Sequence, residues 1–497
     1  MSRLEDLCAA TLARPADRQA LEFEGRWHTW GDLRGVAERL EASIAASGAG
    51  ADATIGLVAR NHPSSIAALL GLIAKGRSVR MIYAFQSAAA MARDVERARP
   101  AVLVTREEDF GGDMRKVLGD HGIAGVALRD LDVHAMPGLE RAHTAIGSSS
   151  GASAPRIEIL TSGTTGAPKP FALTFDVIAR HMIGAGVSAT GGMQDLSAQP
   201  PTLLFFPLSN ISGIYSTLPA LLKGQRAVLL ERFNIPGWHD HLMRYRPEAS
   251  GMPPAGVQML LDANIPREDL SCIRRFGTGA APLDPAVQRA FEDRYGIPIL
   301  LSYGATEFGG PVAAMTLDLH AEWGRRKFGS VGRAMPGAQL RVVDPQSGEP
   351  LPPGEEGILE VISPRIGPDW IRTSDVAVID ADGFLFHRGR ADGAIMRGGF
   401  KVLPETIERA LLLHPAVAAA AVVGIPHERL GQVPAAAMEI RAAAPAPTAA
   451  DLEAHLREHI ASTHIPAAWR FVSALPRNSS FKIDRPAVKR LFEDDGG

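Results

Sequence analysis

The chain has 497 residues, 46% of them hydrophobic and 22% charged, with a formal net charge of −3. That length exceeds one ordinary core, so two to four domains or subdomains are expected. Interspersed acidic and basic residues exclude the basic stripe that coats nucleic acid. Cys8 and Cys272, its two cysteines, have neither metal spacing nor a disulfide framework, which points to a reducing compartment. The opening stretch "MSRLEDLCAATLARPADRQ" carries charges where a secretory signal needs an apolar core. The longest apolar run, "SIAALLGLIAKG", falls short of the ~20 residues of a membrane span. A soluble cytoplasmic protein is expected.

In chain order, "TWGDLRGVAERLEASIAASG" puts Leu33, Val36, Leu40 and Ile44 on one helical face and stops at Gly48. "TIGLVAR" reads as a strand, Pro63 opens a second helix ending near Lys75 and Gly76, and "SVRMIY", "AAAMARDVERARP" and "AVLVTRE" continue strand, helix, strand. That rhythm predicts βαβ units and a doubly wound, largely parallel α/β sheet. "TAIGSSSGASAP", residues 144–155, reads as a linker between α/β lobes of about 1–143 and 156–315, the second holding "TLLFFPL", "RAVLLE" and "PILLSYG". Residues 320–390 are β-rich. The composition shifts after Arg390, where "PETIERALLLHP" is a helix and "AAAAVVGIP" and "AAAMEIRA" are strands. Thr448 with Asp451 forms a capping box opening a helix that aligns Leu452, Leu456 and Ile460. The expectation is a large N-terminal domain over 1–390 and a small mobile α+β domain over 391–497, with no internal repeat.

The segment "RTSDVAVIDADGFLFHRGR" is the clearest hairpin, with Asp382-Gly383 as a two-residue turn. That turn pairs Ala381 with Phe384, Ile379 with Phe386, Ala377 with Arg388, and Asp375 with Arg390. A one-residue bulge would break this register. On the hairpin alone, Asp375 and Arg390 read as a salt bridge at its mouth.

Residues 161–170, "TSGTTGAPKP", follow the apolar run "RIEIL" and suit neither helix nor strand. Glycines let backbone N–H groups crowd one point while hydroxyls and a lysine add donors, so the loop fits an anion. It is not a P-loop: counting from Gly163, the sixth position is Pro168, and Pro170 follows Lys169.

Four segments occur in order: "LTSGTTGAPKP", "LSYGATE", "RTSD…HRGRADGAIMRGGFKVLPETIE" and "LPRNSSFKIDR". Together they resemble the acyl-adenylate-forming enzymes, which include acyl-CoA and aryl-CoA ligases, luciferases and peptide-synthetase adenylation domains. The resemblance spans nearly the whole chain and is closest in feel to the acyl-CoA ligases. It implies that a carboxylate attacks the α-phosphate of ATP, giving an acyl-adenylate and pyrophosphate, after which a thiol displaces AMP. ATP, Mg²⁺ and coenzyme A are the implied cofactors, and a small carboxylic acid the substrate.

By that resemblance Thr161, Ser162, Gly163, Thr164, Thr165 and Gly166 wrap the β- and γ-phosphates, with Lys169 nearby. Tyr303 stacks on adenine beside Gly304 and Ala305, Thr306 meets the α-phosphate, and Glu307 binds Mg²⁺. In "GTGAAP", Gly277 borders the acyl group, and Gly279, Ala280 and Ala281 lie against the base. Asp375 and Arg390 hold the ribose, Asp392 is the hinge of the small domain, and Lys482 meets the carboxylate and α-phosphate. Gly398, Gly399 and Phe400 border a channel for pantetheine.

Three positions depart from the family pattern: Ser374 and Phe481 replace glycines, and Asn210 stands where many acyl-CoA ligases have a ring. Asn210, Ile211, Gly213 and Ile214, with "GMPPAG" at 251–256, suggest an apolar acyl pocket, though ordinary core residues look the same. The segment "SNISGIYS" lacks the aspartate that pairs with an α-ammonium, which favours an aryl or aliphatic non-amino acid. An enzyme that loads a carrier protein's phosphopantetheine, and a nucleotide-binding regulator without chemistry, are the competing readings.

Overall fold

The computed structural model describes residues 3–142, 154–161, 169–183, 195–397, 400–427, 429–441, 445–478 and 482–493, with only the backbone described for Leu160, Thr161, Lys169, Phe400 and Lys401. The chain is mixed α/β and divides into two compact units: Met1–Glu248 with Ala305–Gly310, and Ala249–Gly304 with Pro311–Gly497.

The first unit is built on a sheet of strands in the order Asp132–Ala135, Ala124–Arg129, Val102–Arg106, Ile55–Ala59, Val79–Tyr83, Arg156–Thr161 and Lys169–Thr174. The five inner strands run parallel and the two outermost antiparallel. Every residue of Ile55–Ala59 is buried, as a strand covered on both faces requires. The helix Trp30–Ala46 starts from a Thr29–Asp32 capping box and buries Leu33, Val36, Leu40 and Ile44, the face read from sequence. The helix Pro63–Ala74 is buried from Pro63 to Ile73, with proline supplying its first turn.

Two pairings cross the lobes read from sequence. The strand Arg156–Thr161 lies parallel to Val79–Tyr83 in one sheet, and Gln19–Phe23 lies parallel to Ala227–Leu229 in another. Alternation shows which segments are strands, whereas these partners are chosen by burial across the whole fold.

In the second unit the strands Ala249–Gly251, Arg275–Gly279 and Ile299–Ala305 are parallel neighbours. An antiparallel sheet of Gln339–Val343, Glu356–Ile362, Ile371–Ile379 and Leu385–Arg390 follows. The last part pairs Val417–His427 with Gly431–Ile440, which also pairs Ala468–Val472. The helices Pro404–Leu412 and Ala449–His459 bury Ile407, Leu411, Leu452 and Leu456 in its core. The expected Thr448–Asp451 capping box opens the second of these helices. Among the described residues no helix is long and apolar enough to cross a membrane.

Candidate functional site

The hairpin Ile371–Ile379/Leu385–Arg390 does not turn at Asp382-Gly383 as a two-residue loop. Asp380 accepts backbone N–H groups of Asp382 and Phe384 at 3.0 and 2.9 Å, and its own N–H bonds to the Phe384 carbonyl at 3.1 Å, closing a longer loop. The partners are therefore Ile379 with Leu385, Val378 with Phe386 and Ala377 with His387, one residue out of the expected register. A bulge between Val376 and Ala377 then leaves Arg388 unpaired in the ladder, matches Val376 with Gly389, and restores Asp375 opposite Arg390. The expected pair is present, but through two offsets that cancel.

Around Asp375 the geometry is specific. One carboxylate oxygen accepts the Tyr303 hydroxyl; the other lies 3.3 Å from His387 Nε2 and 3.8 Å from Arg390 Nε. Burial alone would raise this carboxyl, yet the bond from His387, the Tyr303 hydroxyl and the Arg390 charge together hold it below the usual carboxylate range. Arg390 is not a simple partner of Asp375. Its guanidinium donates to Asp392 at 3.0 and 2.7 Å and to the Ser374 hydroxyl at 2.6 Å. Ser374 thus contributes a hydroxyl that no glycine could. His387 escaped the sequence reading because the bulge that turns it toward Asp375 has no local signature beyond a glycine nearby.

Tyr303 lies on Ile299–Ala305, whose neighbour Arg275–Gly279 presents glycine backbone. A Cβ on Gly277 would meet nothing within 4 Å, whereas one on Gly279 would lie 2.4 Å from Ser302 Oγ. Ala280 next in line is left-handed, with φ of +67°, a conformation that costs a non-glycine residue about 1 kcal/mol or more. Bare strand backbone beside an aromatic ring and a charged carboxylate suits a flat base and a vicinal diol.

Thr306 and Glu307 sit in the short turn Thr306–Phe308, with Glu307 exposed. Among the described residues no cluster of His, Cys, Asp or Glu could by itself hold a metal. A lone carboxylate such as Glu307 still fits Mg²⁺, which keeps several waters and shares phosphate oxygens.

Thr161 and Lys169 are backbone partners at the end of the antiparallel strands Arg156–Thr161 and Lys169–Thr174, at the edge of the large sheet. Ser162, Gly163, Thr164, Thr165 and Gly166 themselves lie outside the described residues, as do Gly398, Gly399 and Phe481. Phe400 pairs with Arg397.

Asn210 occupies the N-cap position of the helix Ile211–Leu222. In its first turn Gly213 is buried against the preceding loop: a Cβ there would fall 2.1 Å from the Pro207 carbonyl, so its glycine serves packing. The same loop is held by Asn61, whose Oδ1 accepts the Leu208 N–H at 3.0 Å while its Nδ2 donates to the Leu230 carbonyl at 3.1 Å. Sequence reading missed Asn61, since a buried amide carries no motif.

Lys482 is bonded to Asn478. Asn478 N–H bonds to its carbonyl at 2.8 Å, its own N–H bonds to Asn478 Oδ1 at 3.1 Å, and Arg477 bridges Ile483. Two residues on, Asp484 caps the helix Arg485–Arg490 through the Ala487 N–H at 3.0 Å.

Comparison with known proteins identifies the family. The family model described as AMP-binding enzyme matches residues 8–368, and that of the AMP-binding enzyme C-terminal domain matches 406–482. A sulfoacetate–CoA ligase from Cupriavidus necator is 32% identical, with 97% of this chain and 96% of that protein covered. An indoleacetate–CoA ligase from Aromatoleum aromaticum is 28% identical, with 95% of each covered. Among solved structures, ATP-bound MatB from Rhodopseudomonas palustris superimposes with a TM-score of 0.81 at 22% identity over 100% of both chains. The o-succinylbenzoate CoA synthetase from Bacillus subtilis, in complex with its acyl-adenylate intermediate, gives 0.76 at 22% identity over 98% of this chain and 99% of that one. The fold is therefore that of adenylate-forming enzymes, with a large N-terminal and a small C-terminal domain, and the chain belongs to the AMP-binding enzyme family.

Proposed function

We propose that this enzyme, an ATP-dependent carboxylic acid:CoA ligase working through an acyl-adenylate, activates an aryl or aliphatic acid that lacks an α-ammonium group. The observation that carries the nucleotide half is the Asp375 carboxylate, kept ionised and held between Tyr303, His387 and Arg390. An acceptor of that kind suits the two vicinal hydroxyls of a ribose. Tyr303 and the strip Gly279, Ala280 and Ala281 then bracket the base, with Gly304 and Ala305 continuing the strand.

The remaining roles follow the motif positions. Thr161 to Gly166 and Lys169 donate to the β- and γ-phosphates, and Thr306 to the α-phosphate. Glu307 would hold Mg²⁺, which neutralises phosphate charge when bound. Lys482 supplies a compact ammonium where the acid's carboxylate meets the α-phosphate, so that two anions can approach each other. Asp392 is the hinge between a large domain ending near residue 390 and the small one, and Gly398, Gly399 and Phe400 border the thiol's approach.

The acid is read from the first turn of Ile211–Leu222 and its surroundings. Ile214 is fully buried and Asn210 is the polar group at the helix start. Sulfoacetate, 2-succinylbenzoate and indoleacetate, the acids in the relatives' names, all lack an amino group. The test is pyrophosphate release across a panel of carboxylic acids, followed by free CoA and a phosphopantetheinylated carrier protein as competing acceptors. The reading predicts release with one class of aryl or aliphatic acid and a thioester on CoA. Release only with amino acids, or transfer only to the carrier, would overturn it.

A further inference from the structure

His387 is a neighbour of Asp375 to which the family resemblance assigns no role, and the bulge is what brings it there. Asp375 and Ala377 lie on the same face of their strand, and their partners are Arg390 and His387. An odd separation along a regular strand would place those partners on opposite faces; the inserted Arg388 brings them together. Gly389 makes this possible. Its φ is +145°, and a Cβ there would lie 2.7 Å from Glu405 Oε2.

The side chains of His387 and Asp375 are 19% and 18% exposed, so their contact is largely shielded from water. A carboxylate has about four lone-pair sites. Here one oxygen takes the Tyr303 hydroxyl and the other faces His387 Nε2, so both ends of the group are tethered. A tethered carboxylate loses less freedom on binding a diol than one that can spin about its own bond.

We propose that His387 is a positioning residue for the nucleotide, fixing the plane of the Asp375 carboxylate through Nε2 so that its open lone pairs meet the ribose hydroxyls. This rests on the reading of Asp375 given above. His387 touches no reacting atom; it acts through Asp375. His387 faces the Asp375 carboxylate, which Arg390 Nε approaches to 3.8 Å, and its ring lies 6.0 Å from that of Tyr303 between centroids.

The test uses the full chain and two readouts: the Kd for Mg·ATP by calorimetry, which needs no acid, and pyrophosphate release at saturating acid. His387→Phe keeps a ring and removes the donor. It should weaken ATP about tenfold, the scale of one hydrogen bond to a charged group, while kcat at saturating ATP stays within about threefold. His387→Gln, which can still donate, should recover most of the affinity. Asp375→Asn combined with His387→Phe should be no weaker than Asp375→Asn alone, because the two residues act as a unit. Wild-type ATP affinity in His387→Phe beside a weakened Asp375→Asn, or fully additive losses, would overturn the role of His387 and leave that of Asp375 intact. Wild-type affinity in Asp375→Asn would instead remove the ribose reading itself. If His387→Phe fails to fold, judged by thermal unfolding, His387→Ala against His387→Gln makes the same comparison.

Discussion

Arg485 and Glu408 form an ion pair of 2.9 Å inside the small C-terminal part of the chain. The guanidinium also reaches Glu405 at 3.0 Å and the Val422 carbonyl at 2.5 Å, while the Val422 N–H donates to Glu408 at 2.8 Å. Burial pushes the Glu408 carboxyl up, and Arg485 is held charged by the two glutamates despite its own burial. Among the described residues, Glu405 Oε2 is already buried without a hydrogen-bond partner. Arg485→Met would leave two enclosed carboxylates uncompensated and should destabilise the chain by about 3–5 kcal/mol. Arg485→Met with Glu408→Leu should recover a large part of that. Denaturant unfolding of the three proteins decides it, and a single variant within about 1 kcal/mol of wild type would refute the arrangement.

Lys482 lies just before Arg485 in the chain, its backbone bonded to Asn478. Lys482→Ala should lower pyrophosphate release by about 10²- to 10³-fold, the usual cost of one lost donor to developing charge. ATP should still bind, and a supplied acyl-adenylate should still be passed to CoA. Near-normal release in that variant would remove Lys482 from the first half-reaction.

Ser374 offers a gentler probe. Its hydroxyl accepts from Arg390 at 2.6 Å, and that guanidinium also spans Asp392 and approaches Asp375. Ser374→Gly should weaken ATP about threefold, the value of one modest hydrogen bond, with thermal stability nearly unchanged. An unaltered Kd would mean that Asp392 alone holds the guanidinium.

Local patterning carries a large share of this fold. The helix Trp30–Ala46, the strand Ile55–Ala59 and the Thr448 capping box are written in side chains that neighbour one another in sequence, so they can be read there. Pairing between distant segments is not local. Nothing near Gln19–Phe23 announces that it will lie beside Ala227–Leu229. The hairpin shows the same limit inside a motif. Asp382-Gly383 favours a tight turn, but Asp380 captures two backbone N–H groups and lengthens the loop, and Gly389 admits the bulge that compensates. Tyr303, Asp375 and Arg390 were legible as a group from motif order, whereas His387 and Asn61 depend on register and burial that only the folded chain supplies.

His62 gives a prediction about pH. It caps the helix Pro63–Ala74, with Nδ1 accepting the Ser64 N–H at 3.3 Å, and its ring meets Phe23 edge-on at 4.9 Å. Burial, aided by the charge of Arg106, lowers its pKa from 6.5 to about 4. The folded state therefore binds fewer protons than the unfolded chain between those values, so this histidine's contribution is fully present above about pH 6.5 and is lost as pH falls toward 4. The difference is worth roughly 3 kcal/mol in all. His62→Asn keeps a good N-cap and removes the titration. His241, also buried, with its pKa lowered and its ring bonded to the Pro201 carbonyl at 2.8 Å, stays in both proteins and cancels from the comparison. Unfolding free energies measured from pH 7 to pH 4 should fall more steeply for the wild type than for His62→Asn, by up to about 1.4 kcal/mol per pH unit. Parallel curves would show that His62 is protonated as readily in the folded chain as in the unfolded one.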